Sequence, residues 1–147
     1  MVDSIKNKDH IEYIKASDLL LAIIIYPDYK RNDNCIEFFT EPEYSQQLGY
    51  MNRPKGYTIE PHIHRPVERT ITYTQEVLYI KSGLVKVDFY DNDRNYTDSR
   101  DLTSGTVILL THGGHGFEII ENSEIIEIKQ GPFAGDKDKE RFKSTIN

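Results

Sequence analysis

Four side chains in this sequence have the types and spacing of a mononuclear metal centre: His62, His64, Glu76 and His115. One residue separates His62 from His64, so on a strand their side chains leave from the same face. Their Cα atoms would then lie about 6.6–7 Å apart. That separation lets two imidazoles lean onto one ion at about 2.0–2.2 Å from each nitrogen. Glu76 falls on the next expected strand, in the parity of Thr70, Thr72, Thr74, Leu78 and Ile80. His115 follows an apolar run and stands between glycines that let the backbone bend closely. Three imidazoles and a carboxylate suit one divalent transition metal (Fe, Mn, Ni, Zn or Cu) rather than Ca or Mg. Glu68, three residues beyond Arg65, is the competing carboxylate, and His112 the competing imidazole. Taken singly, each of these residues also has an ordinary reading as a surface or loop group.

The elements that must position these residues read as β-strands. The chain has 147 residues, 37% hydrophobic and 29% charged, which fits one domain over 1–147 with a packed core. Ile, Val, Thr, Tyr and Phe dominate the apolar set and recur in short runs between turn clusters, the pattern of an all-β sandwich or barrel. Strands are expected over Asp18–Tyr26, Ile36–Thr40, Gln46–Met51, Tyr57–His64, Thr70–Ile80, Leu84–Tyr90, Tyr96–Leu102, Thr106–Leu110, Phe117–Ile120 and Glu124–Gln130. Turns are expected at Asn52–Gly56, Lys81-Ser82-Gly83, Asp91–Arg94, Ser104-Gly105, Thr111–Gly116 and Glu121-Asn122-Ser123. The unbroken apolarity of Leu19–Ile25 implies a strand covered on both faces, suited to a subunit contact. Beyond Gly131-Pro132 the charged tail reads as a short surface helix or a frayed end.

Charge and composition narrow the partners. Net charge is −6 and no basic cluster stands out, against nucleic acid and anionic membrane. The longest apolar run has seven residues, far below the roughly 20 of a spanning helix. Met1–His10 is polar and lacks the apolar segment of a signal peptide. The single cysteine, Cys35, builds no internal disulfide and reads as a small packed residue. Together these favour a cytoplasmic protein.

A second spacing pattern surrounds the candidate ligands. Gly56-Tyr-Thr-Ile-Glu-Pro-His62-Ile-His64 gives G-x5-H-x-H, and Glu76-Val-Leu-Tyr-Ile-Lys-Ser-Gly83 gives E-x6-G. Both resemble the first motif of the cupin superfamily, with eleven residues between them where that motif has three or four. Gly105-Thr-Val-Ile-Leu-Leu110 followed by His115-Gly-Phe117 resembles the second motif, with Thr111 in place of its proline and Ile119 in place of its asparagine. The resemblance covers about residues 46–130. It implies a cupin-type double-stranded β-helix, an antiparallel jelly-roll barrel, with N-terminal strands over 1–45 and a short tail over 131–147. It further implies a metal held by His62, His64, Glu76 and His115 inside the barrel mouth, and a homodimer. Glu60 and Gln130 are expected to support the imidazoles from their second ring nitrogens.

Segments such as Ser45–Met51, Arg53–Gly56, Gly113–Phe117 and Lys129–Pro132 are similar to small bacterial cupins placed with mannose-6-phosphate isomerase or surface-sugar biosynthesis. Isomerisation or epimerisation of a phosphorylated or nucleotide-linked sugar is the activity this resemblance implies. Glu60 is the expected base, and Arg53, Lys55 or Lys129 the expected phosphate contacts. In a metal-free form of the same chemistry, His62 and His64 would themselves move protons. A non-haem iron dioxygenase and a non-catalytic sugar- or metal-binding module are the alternatives.

Overall fold

The computed structural model describes residues 5–6, 10–31, 34 and 36–146. Cys35 and most of Met1–His10, read above from sequence, lie outside the described residues. The fold is all-β, with no α-helix among the described residues. Nine strands run β1 (Ile5–Lys6), β2 (Ile11–Ala16), β3 (Leu19–Ile25), β4 (Ile36–Phe38), β5 (Gly49–Met51), β6 (Glu76–Tyr90), β7 (Tyr96–Thr103), β8 (Val107–Leu110) and β9 (Gly114–Lys129). Seven of them form one antiparallel sheet in the order β1-β2-β3-β8-β6-β7, with β9 on the other edge of β6; β4 and β5 form a separate pair. The large sheet curls into a half-barrel.

Strand β6 organises that curl. Its first residues pair with β8, from Glu76↔Leu110 to Tyr79↔Val107, and its later ones with β7, from Leu84↔Thr103 to Tyr90↔Tyr96. Thus β8 and β7 occupy successive stretches of one edge, joined by the Ser104-Gly105 turn. The whole length of β9 runs along the other edge.

Two turns expected from sequence are absent here. Lys81-Ser82-Gly83 and Glu121-Asn122-Ser123 stand opposite one another inside β6 and β9, where the register slips between Ile80 and Val85. The two strands kink together instead of ending. Gly83 makes this possible: its φ is +90°, and a Cβ there would lie 2.2 Å from Ser123 Oγ and 2.3 Å from the Asn122 carbonyl oxygen. Glycine and Ser-rich sequence marks both turns and bulges, so the local signal could not separate them.

The inner core contains Ile24, Ile80, Val85, Val87, Phe89 and Ile108, with Ile14 and Leu102 packed among them. An outer layer of Ile11, Ile23 and Leu109 is covered by Tyr29, Phe39 and Leu48. Residues of this chain cover both faces of β3 over Leu21–Ile24 and leave Leu19, Leu20 and Ile25 half-buried. Each such buried aliphatic side chain contributes about 1.5–3 kcal/mol.

A polar clasp joins the sheet where strands do not. Arg100 on β7 donates to Glu12 on β2 through Nε (3.0 Å) and Nη2 (2.8 Å), and the Tyr26 hydroxyl donates to the same carboxylate at 2.7 Å. Glu12 is 5% exposed. Burial pushes its carboxyl up, but the donors from Arg100 and Tyr26 outweigh that and hold it below the ordinary value. Contact with Glu12 raises the Arg100 guanidinium further above its ordinary value.

The clearest departure from expectation is residues 54–73. Every one is exposed and none belongs to a strand, so the strand expected over Tyr57–His64 is not formed, and that over Thr70–Ile80 begins only at Glu76. The segment has strand-like alternation without a neighbouring strand to bond it.

Candidate functional site

The kink at Gly83 turns β6 back on itself, and the consequence is a contact between its beginning and the beginning of β9. Glu76 is the first residue of β6 and shares the inner face with Leu78 and Ile80. His115 pairs with Phe89, near the other end of β6, and so points to the same interior. Glu76 Oε2 lies 3.1 Å from His115 Nε2. The His115 hydrogen bond is the main cause holding the Glu76 carboxyl below its ordinary value, against partial burial that pushes it up; Lys139 and Lys129 add to the lowering.

The pair opens onto a cavity of about 910 Å³. Its wall is about equally polar and apolar, with Asp88, Glu127, Asp138, Lys139 and Arg141 among the lining residues. Tyr90, Phe117 and Phe142 supply aromatic faces. The tail beyond Pro132 makes one 3-10 turn (Gly135–Lys137) and then packs back on the barrel instead of fraying. Phe142 meets Tyr90 edge-on at 5.1 Å, and the Tyr90 hydroxyl lies 2.9 Å from Ser144 Oγ. Arg94 is paired with Glu140 at 2.7 Å. Lys129 is paired with Asp138 at 3.6 Å, and Thr74 also bonds Asp138. Sequence reading missed the contribution of 138–144; the signal available was one aromatic, Phe142, directly after the charged run Asp136–Arg141.

The other expected residues lie elsewhere. Glu60, His62, His64 and Glu68 are all on the exposed segment 54–73 and none lines the cavity. The His62 and His64 rings stand 5.3 Å apart, edge to face, although no strand carries them. Glu60 supports His62 through its backbone, whose carbonyl accepts from His62 Nδ1 at 2.9 Å, rather than through its carboxylate. Gln130 donates weakly to the Gly131 carbonyl at 3.4 Å, and its Oε1 is buried without a partner. His112 donates from Nδ1 to the Leu20 carbonyl at 3.2 Å. Arg53 lies over the Tyr57 ring and Lys55 is exposed, so neither borders the cavity.

The donor set expected for a metal is thus split within one chain. Among the described residues, no three His, Cys, Asp or Glu side chains assemble as a group able to hold an ion. Glu76 and His115 meet as expected, whereas His62 and His64 do not join them, because the residues that carry them form no strand on this barrel. What the single chain does assemble is a carboxylate–imidazole pair, able to take up and deliver a proton. No described helix is long and apolar enough to cross a membrane. Compared with protein-family models, curated proteins and solved structures, the chain matches none of them.

Proposed function

We propose that this protein isomerises or epimerises a phosphorylated or nucleotide-linked sugar, with Glu76 and His115 as the proton-transfer pair. The observation carrying the reading is their 3.1 Å contact at the wall of a cavity of mixed polar and aromatic lining. Interconverting an aldose and a ketose, or inverting a centre beside a carbonyl, requires a base to remove the proton from carbon and an acid to serve the oxygen. The His115 hydrogen bond holds the Glu76 carboxyl below its ordinary value, so it stands ionised and able to accept a proton. The His115 ring, within hydrogen-bond reach of it, serves the carbonyl oxygen. Exposed Lys139 and Arg141 on the cavity wall supply positive charge for phosphate. Tyr90, Phe117 and Phe142 offer flat surfaces for a sugar or base ring.

The test is deuterium wash-in. Protein incubated in D2O with a panel of sugar phosphates and nucleoside-diphosphate keto-sugars should label one substrate beside its carbonyl, detected by proton NMR. Glu76→Gln and His115→Ala should abolish that labelling. Labelling that survives both substitutions would remove the proton-transfer assignment.

A further inference from the structure

We infer that Arg94 takes the phosphoryl group of the substrate, and that Glu140 occupies Arg94 until a phosphate displaces it. This rests on reading the cavity as the site of a phosphorylated sugar. It adds to Lys139 and Arg141 a third phosphate contact, one that the protein itself holds closed.

The turn that carries Arg94 fixes its backbone. Its φ is 69°, a left-handed value that glycine adopts freely and arginine rarely does. The Asp91 carboxylate imposes it. Oδ1 accepts from the Asp93 and Asn95 amides at 2.9 and 2.8 Å, and Oδ2 accepts from Asn95 Nδ2 at 3.0 Å. The Arg94 amide donates to the Asp91 carbonyl at 3.1 Å. None of these bonds uses the Arg94 side chain, which is left to line the cavity.

There the guanidinium meets two groups of the tail. Nη2 lies 2.7 Å from Glu140 Oε1, with the two side chains 51% and 76% exposed. Cζ stands 5.7 Å from the centre of the Phe142 ring. An ion pair this exposed is weak and readily exchanged. A phosphate dianion offers the same fork two charges in place of one, on oxygens that match its parallel N–H groups. Glu140 therefore stands where the phosphate would, as a weaker anion of the protein's own.

The tail is tied down on both sides of this contact. Asp138 is held by Thr74 and Lys129, and beyond it Ser144 Oγ meets the Tyr90 hydroxyl and Thr145 Oγ1 accepts from the Tyr96 amide at 3.2 Å. Lys139, Glu140 and Arg141 cross the cavity wall between those anchors. Phe142, over which Arg94 lies, also reaches the other end of the site. A Cβ on Gly114, the residue before His115, would lie 2.8 Å from Phe142 Cζ. A single aromatic ring thus stands between Arg94 and the strand that carries the proton-transfer pair.

Charge on the wall explains why exchange matters. Glu76 is answered by His115, while Asp88 and Asp138 are answered at 3.6 Å by Lys86 and Lys129, which do not line the cavity. Lys139 and Arg141 make no ion pair among the described residues. Glu140 is the lining acid that neutralises a lining cation. Its release converts Arg94 from a tail contact into a ligand contact.

Calorimetric titration with inorganic pyrophosphate, at constant ionic strength, reads the site without turnover. Arg94→Gln should weaken binding about tenfold. Arg94→Lys, which keeps the charge and loses the fork, should fall between it and the native chain. Glu140→Gln should tighten binding about two- to fivefold, because the internal competitor is gone. Added to Arg94→Gln, the Glu140→Gln change should do nothing further. A clasp that only anchors the tail predicts weaker binding from both single variants. Tightening by Glu140→Gln that persists without Arg94 would mark a general loss of negative charge. Either result overturns the exchange, as does an affinity indifferent to Arg94.

Deuterium wash-in separates this inference from the reading beneath it. Opposite effects of the two single variants in a protein that labels no sugar would keep the anion site and remove the isomerisation. Intact labelling with pyrophosphate binding blind to Arg94 and Glu140 would remove the exchange alone. Parallel titrations with fructose-6-phosphate and UDP-glucose identify the source of the phosphoryl group, which is the ligand on which Arg94→Gln costs the tenfold. A loss on neither ligand overturns the assignment of Arg94.

Discussion

Glu76 and His115 touch at 3.1 Å although His115 pairs with Phe89, thirteen residues further along β6. A straight strand would hold those positions about 43 Å apart. The contact is therefore a product of the bend at Gly83, and it ties the candidate chemistry to one backbone position.

Gly83→Ala tests that link. At φ +90° an added Cβ is strained, and here it also meets Ser123 Oγ and the Asn122 carbonyl. Gly56 is the control, because its φ is +88° but nothing lies within 4 Å of an added Cβ. Urea unfolding should show about 1–2 kcal/mol lost for Gly56→Ala, the cost of a left-handed backbone. Gly83→Ala should lose about 4 kcal/mol or more, and with it the Glu76–His115 contact.

The proton-transfer pair predicts a loss of turnover without a loss of fold. Glu76→Gln preserves shape and hydrogen bonding while removing the base, so kcat should fall by about 10²–10⁴-fold. Lys139→Ala and Arg141→Ala should instead raise KM, each by about tenfold, for phosphorylated substrates. Equal effects on an unphosphorylated sugar would rule out a phosphate contact.

Acid should loosen the clasp between β2 and β7. The Glu12 carboxyl sits below its ordinary value in the folded protein, so its contribution is complete above the unfolded value of about 4.3. That contribution fades as pH falls through the lower folded value. The groups facing it are Arg100, Tyr26 and, with opposing sign, Asp98. Arg100→Met leaves the buried carboxylate without its cation and should cost about 3–5 kcal/mol at neutral pH. In that variant the slope should reverse, with stability rising as Glu12 takes up a proton. Urea titrations from pH 3 to pH 7 read both slopes.

Ile23→Ala tests the cover that the chain itself gives β3. Ile23 is fully buried by its own chain, so the substitution should cost about 2–5 kcal/mol. Urea unfolding reads that loss.

The alternation of Val85, Val87 and Phe89 and the apolar run Leu19–Ile25 made the strand framework legible in sequence, because burial on a pleated surface imposes those patterns directly. Glu76 and His115 were legible as a pair through their motifs. The kinks were not, since Gly83 and Ser123 carry the same residue types as hairpin turns and only the pairing of β6 with β9 distinguishes the two. Tyr57–His64 alternates as a strand does, but alternation alone supplies no neighbouring strand, and these residues stay exposed. Lys139 and Arg141 reach the cavity through the docking of Phe142 beside Tyr90, a packing event with no periodicity to announce it.

The pairing of β6 with β9 has a kinetic corollary. β2 and β3 join residues close in sequence and can zip early. Glu76 must find Lys129 across fifty-three positions of chain, and the two strands must settle around a shared kink. Closing so distant a pairing is slow, on the millisecond-to-second scale of sheet proteins dominated by remote contacts. Until it closes, Ile80, Val85, Val87 and Phe89 of β6 are bare, which makes crowding during renaturation the step most prone to loss of material.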